Sequence, residues 1–376
     1  MKANWQIKKL GEILKLEYGK PLSKNDRGFK GKYPVYGANG IKSRCNSFYF
    51  AKPSIIVGRK GSAGELHLSE NKFWPLDVTY FVTFDENKYD LKFLYNLLTT
   101  LELPKLAKGV KPGINRNEVY LIEVGIPPFP EQKRIVEILD DVFEKLTKAK
   151  ENAEKNLQNS KELFKSYLQS IFTNPSFELK KIKDIAEIKG GKRIPQGKKL
   201  EYEDTGYPYI RVADFNDNGS IDIDDIRYIT KDIFEQIKRY TISSKDLYIS
   251  IAGTIGKTGI ISEELEGANL TENACKLVFK NGIDNKYVYF FTKSREFTKQ
   301  AGLNTRTTAM PKLALSRLGS IEIPFPKSLS EQKSIVKKLD ALSGETKKLE
   351  GIYKQKLLAL EELKKSVLAS YFAKAS

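Results

Sequence analysis

Residues 126–140, IPPFPEQKRIVEILD, return as residues 323–340, IPFPKSLSEQKSIVKKLD. From Glu131 and Glu331 onward the two copies stay in register at an offset of 200 residues, with Glu-Gln-Lys, Ile-Val and Leu-Asp identical. Downstream, LFKSYLQSIF (163–172) matches LKKSVLASYF (363–372), and near the start IKKLGEILKLEYGK (7–20) matches LKKIKDIAEIKGGK (179–192). A chain written twice must fold twice. Each copy reads as a globular segment, a proline-rich hinge and a long helix, the second globular segment being longer by about 28 residues.

The duplication disposes of an apparent nucleotide-binding loop. Gly256-Lys257-Thr258 follows a β-branched run, as the end of a P-loop does. That loop needs a glycine five positions before the Gly-Lys, so that backbone N–H groups can wrap the phosphates. Ile251 stands there. The matching stretch of the first copy, IIVGRKGSAGEL (55–66), shares only the spacing Gly-x-x-Gly-x-x-Gly: Gly58, Gly61 and Gly64 against Gly253, Gly256 and Gly259. Such spacing suits a tight connection between two strands, with backbone at positive φ.

In both helical segments apolar residues recur at alternating steps of four and three. The seam runs through Ile135, Leu139, Val142, Leu146, Leu163 and Tyr167 in the first helix. Ile335, Leu339, Leu342, Leu349, Leu360, Leu363 and Val367 continue it in the second. A 3.5-residue repeat held over about five heptads is the coiled-coil pattern. Prolines 127, 128 and 130, and 324 and 326, bound the helices upstream because proline lacks the N–H that a continuing ladder needs. The first helix carries the chain to the second globular segment, so a second helix packed on it runs back, antiparallel. Within the globular segments, short β-rich runs such as PSIIVG and DLYISIAG stand between Gly, Asn and Asp turns, with helical stretches at 88–102 and 286–301. The fold class expected is α+β: two tandem globular domains joined by two long helices forming an antiparallel coiled coil, with pseudo-two-fold internal repeat.

Charge points to a partner. The formal net charge is +17, and residues 1–130 alone carry 21 Lys and Arg against 12 Asp and Glu, while the helical residues 131–176 carry 8 of each. An excess gathered in one globular segment favours a polyanion such as nucleic acid. The inventory also excludes chemistry. With one histidine (His67) and two cysteines (Cys45, Cys275), a zinc site or a Ser-His-Asp triad is hard to build. There is no run of 18 apolar residues, and the opening MKANWQIKKL lacks the apolar stretch of a signal peptide, so a cytoplasmic location is expected.

The duplicated "IP-x-P…EQK-x-IV" hinge and helix, with the loops PVYGANG (34–40) and ISIAGTIGK (249–257), resemble the specificity (S) subunit of type I restriction-modification enzymes. The likeness covers residues 5 to 373. It implies target recognition domains at 1–130 and 174–327, each reading one half of a split, asymmetric double-stranded DNA site. It implies long helices at 131–173 and 328–376 that set the spacing and dock two methyltransferase (M) subunits. S-adenosylmethionine, ATP and Mg would then belong to those M subunits and to a restriction/translocase (R) subunit, with no cofactor, metal or catalytic residue in this chain. The residues agree with a non-catalytic DNA-recognition role in a methylation and restriction system. An adenine methyltransferase needs Asp or Asn before its Pro-Pro-Tyr/Phe, and here Ile126 precedes Pro127-Pro128-Phe129. No Phe-x-Gly-x-Gly cofactor loop is present, and the nuclease-like pair Glu187 and Lys189 is common by chance in so basic a chain.

Loops that set Arg or Lys beside Gly, Asn or Ser suit contacts to phosphate and to base edges. In the first domain these are Lys20, Lys24, Arg27, Asn39, Lys42, Arg44, Arg59, Lys60, Lys108, Lys111 and Arg116. In the second they are Lys192, Arg193, Gln196, Lys198, Arg211, Lys257, Arg306 and Lys312. Two other readings of the residues stand beside this one: an NTP-dependent enzyme using Gly256-Lys257-Thr258, and a coiled-coil protein that bridges DNA without reading it.

Overall fold

A computed structural model describes residues 4–302 and 312–372. The first copy of the repeat runs β1 (Gln6–Lys9), α1 (Leu10–Ile13), β2 (Leu14–Tyr18), β3 (Tyr33–Gly37), β4 (Gly40–Cys45), β5 (Ser54–Gly58), β6 (Leu66–Ser69), β7 (Trp74–Pro75) and β8 (Thr79–Phe84). It continues through α2 (Leu91–Thr100), α3 (Arg116–Tyr120) and β9 (Glu123–Ile126) into the long helix α4 (Phe129–Phe172). The second copy opens with β10 (Glu178–Lys181), α5 (Ile182–Ile185), β11 (Ala186–Gly190), β12 (Pro208–Ile210), β13 (Arg227–Tyr228) and α6 (Lys231–Ile237). Next come β14 (Leu247–Ser250), β15 (Thr258–Gly259), β16 (Asn269–Leu270), β17 (Ala274–Phe279), α7 (Asn285–Thr292) and α8 (Arg295–Ala301). It closes with α9 (Leu315–Ser320), β18 (Glu322–Phe325) and the long helix α10 (Leu329–Phe372).

The sheets repeat strand for strand. Order β2-β8-β5-β6 in the first copy is matched by β11-β17-β14-β15, β4-β3-β7 by β13-β12-β16, and the ribbon β1-β9 by β10-β18. Senses match too: β3 pairs parallel with β7 as β12 does with β16, and the other pairings are antiparallel. Of the extra length in the second copy, α6 is the clearest product. The stretch at 286–301 forms two helices instead of one, because the buried Ser294 hydroxyl accepts from Phe297 N–H and starts α8 afresh.

Alternation along the central strand explains the layering. Ile55 and Val57 of β5 face one way, into a core with Phe93, Leu94 and Leu97 of α2. Ile56 faces the other way, onto Tyr36, Phe73 and Phe81. In β14, Leu247 and Ile249 meet Tyr287 and Phe291, while Tyr248 stacks on Phe215 with centroids 4.2 Å apart. The glycine-spaced loops are the β5–β6 and β14–β15 hairpin connections. Gly61, Gly64, Gly253 and Gly256 all have φ between 73° and 91°. Gly58 and Gly259 are needed for space, since a Cβ there would come within 2.0 and 2.1 Å of the Ser62 and Gly219 carbonyl oxygens.

The chain divides into two compact units, one running to Glu154 and resuming at Lys354, the other Lys155–Tyr353. In each, a stretch of α4 packs antiparallel on a stretch of α10. In the first unit, Ile135, Val136 and Leu139 share a core with Leu368 and Phe372; Val367 and Tyr371 pack against it, and Lys150 pairs with Glu361 at 2.7 Å. In the second, Leu168, Ile171 and Phe172 meet Val336 and Leu339, with Tyr167 and Ile335 half-buried beside them. Val142, Leu146, Leu342 and Leu360 are half-buried. Three expected seam residues are not in the seam: Leu163, Leu349 and Leu363 are 52%, 37% and 48% exposed. A strict 3.5-residue frame drifts by about 20° per heptad from a straight 3.6-residue helix. Past Ser160 the buried side is carried by Phe164, Leu168 and Phe172, spaced by four, which turn towards Phe290 and Phe291.

The repeated Glu-Gln-Lys has a job in the fold. Gln132, 1% exposed, accepts from Asp90 N–H at 2.9 Å and donates to the Lys88 and Pro127 carbonyls at 3.0 Å each. Gln332 does the same with Asp284 N–H (2.9 Å) and the Gly282 carbonyl (3.1 Å). Asp90 and Asp284 in turn cap α2 and α7. Each glutamine thus pins a domain helix start to a long helix. Gln132→Leu keeps the volume but strands buried backbone groups, and should lower the stability of the first unit by about 2 kcal/mol. An unchanged midpoint in chemical denaturation would contradict this.

Candidate nucleic-acid interface

Two loops of the first unit are laced together by their backbones. Arg59 follows β5, and its carbonyl accepts from Ile114 N–H at 3.0 Å; Gly61 N–H reaches the Pro112 carbonyl at 2.9 Å. Lys108 and Gly113 exchange hydrogen bonds of 3.0 Å in both directions, and Lys60 bridges to Gly113. The topology therefore gathers Arg59, Lys60, Lys108, Lys111 and Arg116 on one patch.

Both arginines of the patch are held in place. Arg59 donates through Nε and Nη2 to the Asp77 carbonyl at 2.9 and 2.6 Å, and Arg116 through Nη1 to the Leu16 carbonyl at 3.2 Å. Their guanidinium groups lie 5.4 and 4.7 Å from the ring centre of Tyr18, which rests on Tyr80. Neither has a carboxylate partner among the described residues. Of the five, Lys108 alone has one, Glu118 at 2.9 Å. Two arginines held in place and two lysines, Lys60 and Lys111, with no carboxylate partner among the described residues make an anion-seeking surface. Tyr18 escaped the sequence reading; its signal was an aromatic residue at a strand end, just before Gly19-Lys20.

Of the other first-domain candidates, Asn39, Lys42 and Arg44 lie on or beside β4, and Arg27 precedes Gly28, which exchanges backbone hydrogen bonds with Arg44 at 2.9 and 2.6 Å. Lys20, Lys24, Asn39 and Lys42 are exposed and Arg27 half-buried. The Lys20 ammonium lies 5.8 Å from the Tyr49 ring centre. Arg44 is held like Arg59, donating to the Gly31 and Lys32 carbonyls at 2.6 and 2.7 Å, and has no carboxylate partner among the described residues.

In the second unit most candidate charges are spent internally. Arg193 pairs with Glu272, Lys198 with Asp232, and Lys257 with the Phe215 carbonyl and Asp217. Arg211 grips the buried Asp214 and also Asp225. Asp214 raises the Arg211 guanidinium further above its ordinary value, and Arg211 holds the Asp225 carboxyl below the usual range. Lys192, Gln196 and Lys312 are exposed, and Arg306 lies outside the described residues. Beside Lys257, Lys293 donates to the Thr258 carbonyl at 3.1 Å, and desolvation brings its ammonium down to about 8.

The donors of Gly256-Lys257-Thr258 are engaged within the domain. Gly256 N–H goes to the Ser250 carbonyl, Lys257 N–H to the Ser250 hydroxyl, and the buried Thr258 hydroxyl pairs with Thr292. Ile251 is packed in the core. Ile126, before the two prolines, is likewise buried in β9, and Glu187 pairs with Lys189. Burial pushes the Cys275 thiol to about 12, far from a nucleophile's range. Among the described residues no helix is long and apolar enough to cross a membrane.

Known proteins carry the same architecture. The HsdS subunit from Thermoanaerobacter tengcongensis superposes with a TM-score of 0.64 at 16% identity, covering 100% of this chain and 98% of that one. A chain from a structure of type I R-M complex assembly and conformational transition gives 0.75, also at 16% identity, over 98% and 97%. In sequence, the MjaVIII type I restriction enzyme specificity subunit of Methanocaldococcus jannaschii is 24% identical, over 97% of this chain and 91% of its own length. The EcoBI specificity subunit of Escherichia coli is 25% identical over 94% and 79%. The family model described as "Type I restriction modification DNA specificity domain" matches twice, at residues 2–156 and 174–359, one match per copy of the repeat. With both copies matched, the chain belongs to the type I restriction-modification DNA specificity family.

Proposed function

We propose that this chain is the DNA-reading subunit of a type I restriction-modification complex, with residues 1–130 and 174–327 each reading one half of a split, asymmetric site. The observation that carries this is the duplication itself: two domains of one topology, each clamped by a buried glutamine to its own long helix, with different side chains in their loops. Two copies of one frame with different tips suit a site of two different halves. The helices 131–173 and 328–376 dock two M subunits, and R subunits join the same assembly in the cytoplasm. S-adenosylmethionine, ATP and Mg are held by those partners. Production with M subunits in a host lacking adenine methylation, followed by methylation mapping, should yield one bipartite motif. A contiguous motif would overturn the proposal.

Catalysis lies outside this chain. The purified single chain should show no ATPase, nuclease or methyltransferase turnover, and methylation should begin only when M subunits are added. Turnover by the single chain that Lys257→Ala abolished would revive the NTP-dependent reading, whose Gly256, Lys257 and Thr258 donors bond within the domain. A DNA bridge that does not read sequence would bind all duplexes alike and lose them alike with salt.

A further inference from the structure

Between the paired residues Lys108 and Gly113 stand Gly109, Val110, Lys111 and Pro112. Gly109 turns the chain at φ 91°, and proline fixes the far side of the tip. The hairpin is anchored through Pro112 to Gly61 and through Ile114 to Arg59, so its tip has a definite place in the positive patch. There Val110 is 105% exposed, the most exposed large apolar side chain among the described residues, and Lys108 and Lys111 flank it. A connection needing only to reverse direction is served by polar turn residues. This one presents an apolar, β-branched side chain on a braced support, next to Lys111, which has no carboxylate partner among the described residues.

We propose that Val110 is a specificity-determining residue that packs against the 5-methyl group of a thymine in the half site read by residues 1–130. The inference rests on the DNA-reading assignment above. Base edges in the major groove present hydrogen-bond donors and acceptors, and the thymine methyl is the apolar feature among them. Valine has nothing to donate or accept, so that methyl is the base-edge group it can prefer. Its stiff χ1 leaves little rotamer freedom to lose on contact. Lys111 beside it reaches a phosphate and sets the depth of entry, contributing affinity without sequence preference.

The test uses the complete methyltransferase complex and its own mapped motif. Each thymine of the half site assigned to residues 1–130, on either strand, is replaced singly by deoxyuridine, which lacks the methyl. At one position the substitution should weaken wild-type binding by about tenfold, a typical size for one base contact. The Val110→Ala complex should bind thymine about tenfold more weakly than wild type and be nearly indifferent to uracil at that same position. Because Val110 is exposed, folding is not at stake. Uracil penalties that are the same for wild type and Val110→Ala at every position would overturn the proposal, as would a half site with no thymine on either strand. Failure of the underlying assignment would look different: wild type itself would bind duplexes without a split preference, whatever stood at 110.

Discussion

Exchange of residues 1–126 for the matching segment of another family member is expected to replace one half of the methylated sequence and leave the other half intact. The cut after Ile126 keeps β1 and β9 together, since they pair residue by residue from Gln6–Ile126 to Lys9–Glu123. What joins this segment to α4 is largely blind to side chains. Gln132 meets the Asp90 N–H and the Lys88 carbonyl, both main-chain groups that any donor with the same backbone will supply. The demanding part is the apolar contact of Ile135, Val136 and Leu139 with Leu368, Phe372 and the domain core, so the donor must offer a Phe93-like partner for Phe372. Each mismatched base pair typically costs about 1–3 kcal/mol, so three altered pairs should reject the old half site by about a hundredfold to a millionfold. Sequencing for N6-methyladenine reads the outcome directly. Both halves changing together would refute the division of labour.

That exchange also shows which information was legible in the sequence. Identity between the copies includes positions where backbone must be held: the Gln at each hinge, and Gly19 and Gly191, where a Cβ would lie 2.0 Å from a carbonyl oxygen of Leu76 or Thr271. Such demands fall on one residue type and so leave a trace in spacing. The helix seam was legible at Ile135, Leu139, Ile335 and Leu339 and missed Leu163, because past Ser160 the buried side of α4 follows the domain core through Phe164, Leu168 and Phe172 instead of the helix pair alone. The candidate site was harder. Nothing in the run Tyr-Ile-Arg-Val-Ala-Asp tells that Arg211 folds back on Asp214 in a short 3₁₀ turn and meets Asp225 across a loop. Nor does periodicity reveal that Arg59 and Arg116, 57 positions apart, share the ring of Tyr18. Charge could be counted from sequence; its neutralisation depends on tertiary approach.

The distinction between spent and unspent cations is open to measurement. Arg59→Ala with Arg116→Ala should weaken DNA binding by the complex by about 10- to 100-fold at physiological salt. The slope of log affinity against log salt should become shallower by about 1.8, since each lost phosphate contact removes about 0.9. Arg211→Ala should behave in the opposite way. Its guanidinium already faces two carboxylates, so few counterions are released through it, and the salt slope should hold. Its cost is folding stability: Asp214, 2% exposed, keeps only the backbone N–H of residue 211 and is left a buried charge without its cation, a loss of about 3 kcal/mol. Arg59→Lys separates the two uses of an arginine, because lysine keeps the charge but not the planar fork that spans a guanine edge. A preserved slope with relaxed preference at one base pair would make Arg59 a reader; a preserved slope with the motif unchanged would make it a phosphate anchor. A salt slope that falls with Arg211→Ala and holds in the Arg59, Arg116 double variant would place the DNA surface elsewhere, because counterion release follows the cations that meet phosphate and no others.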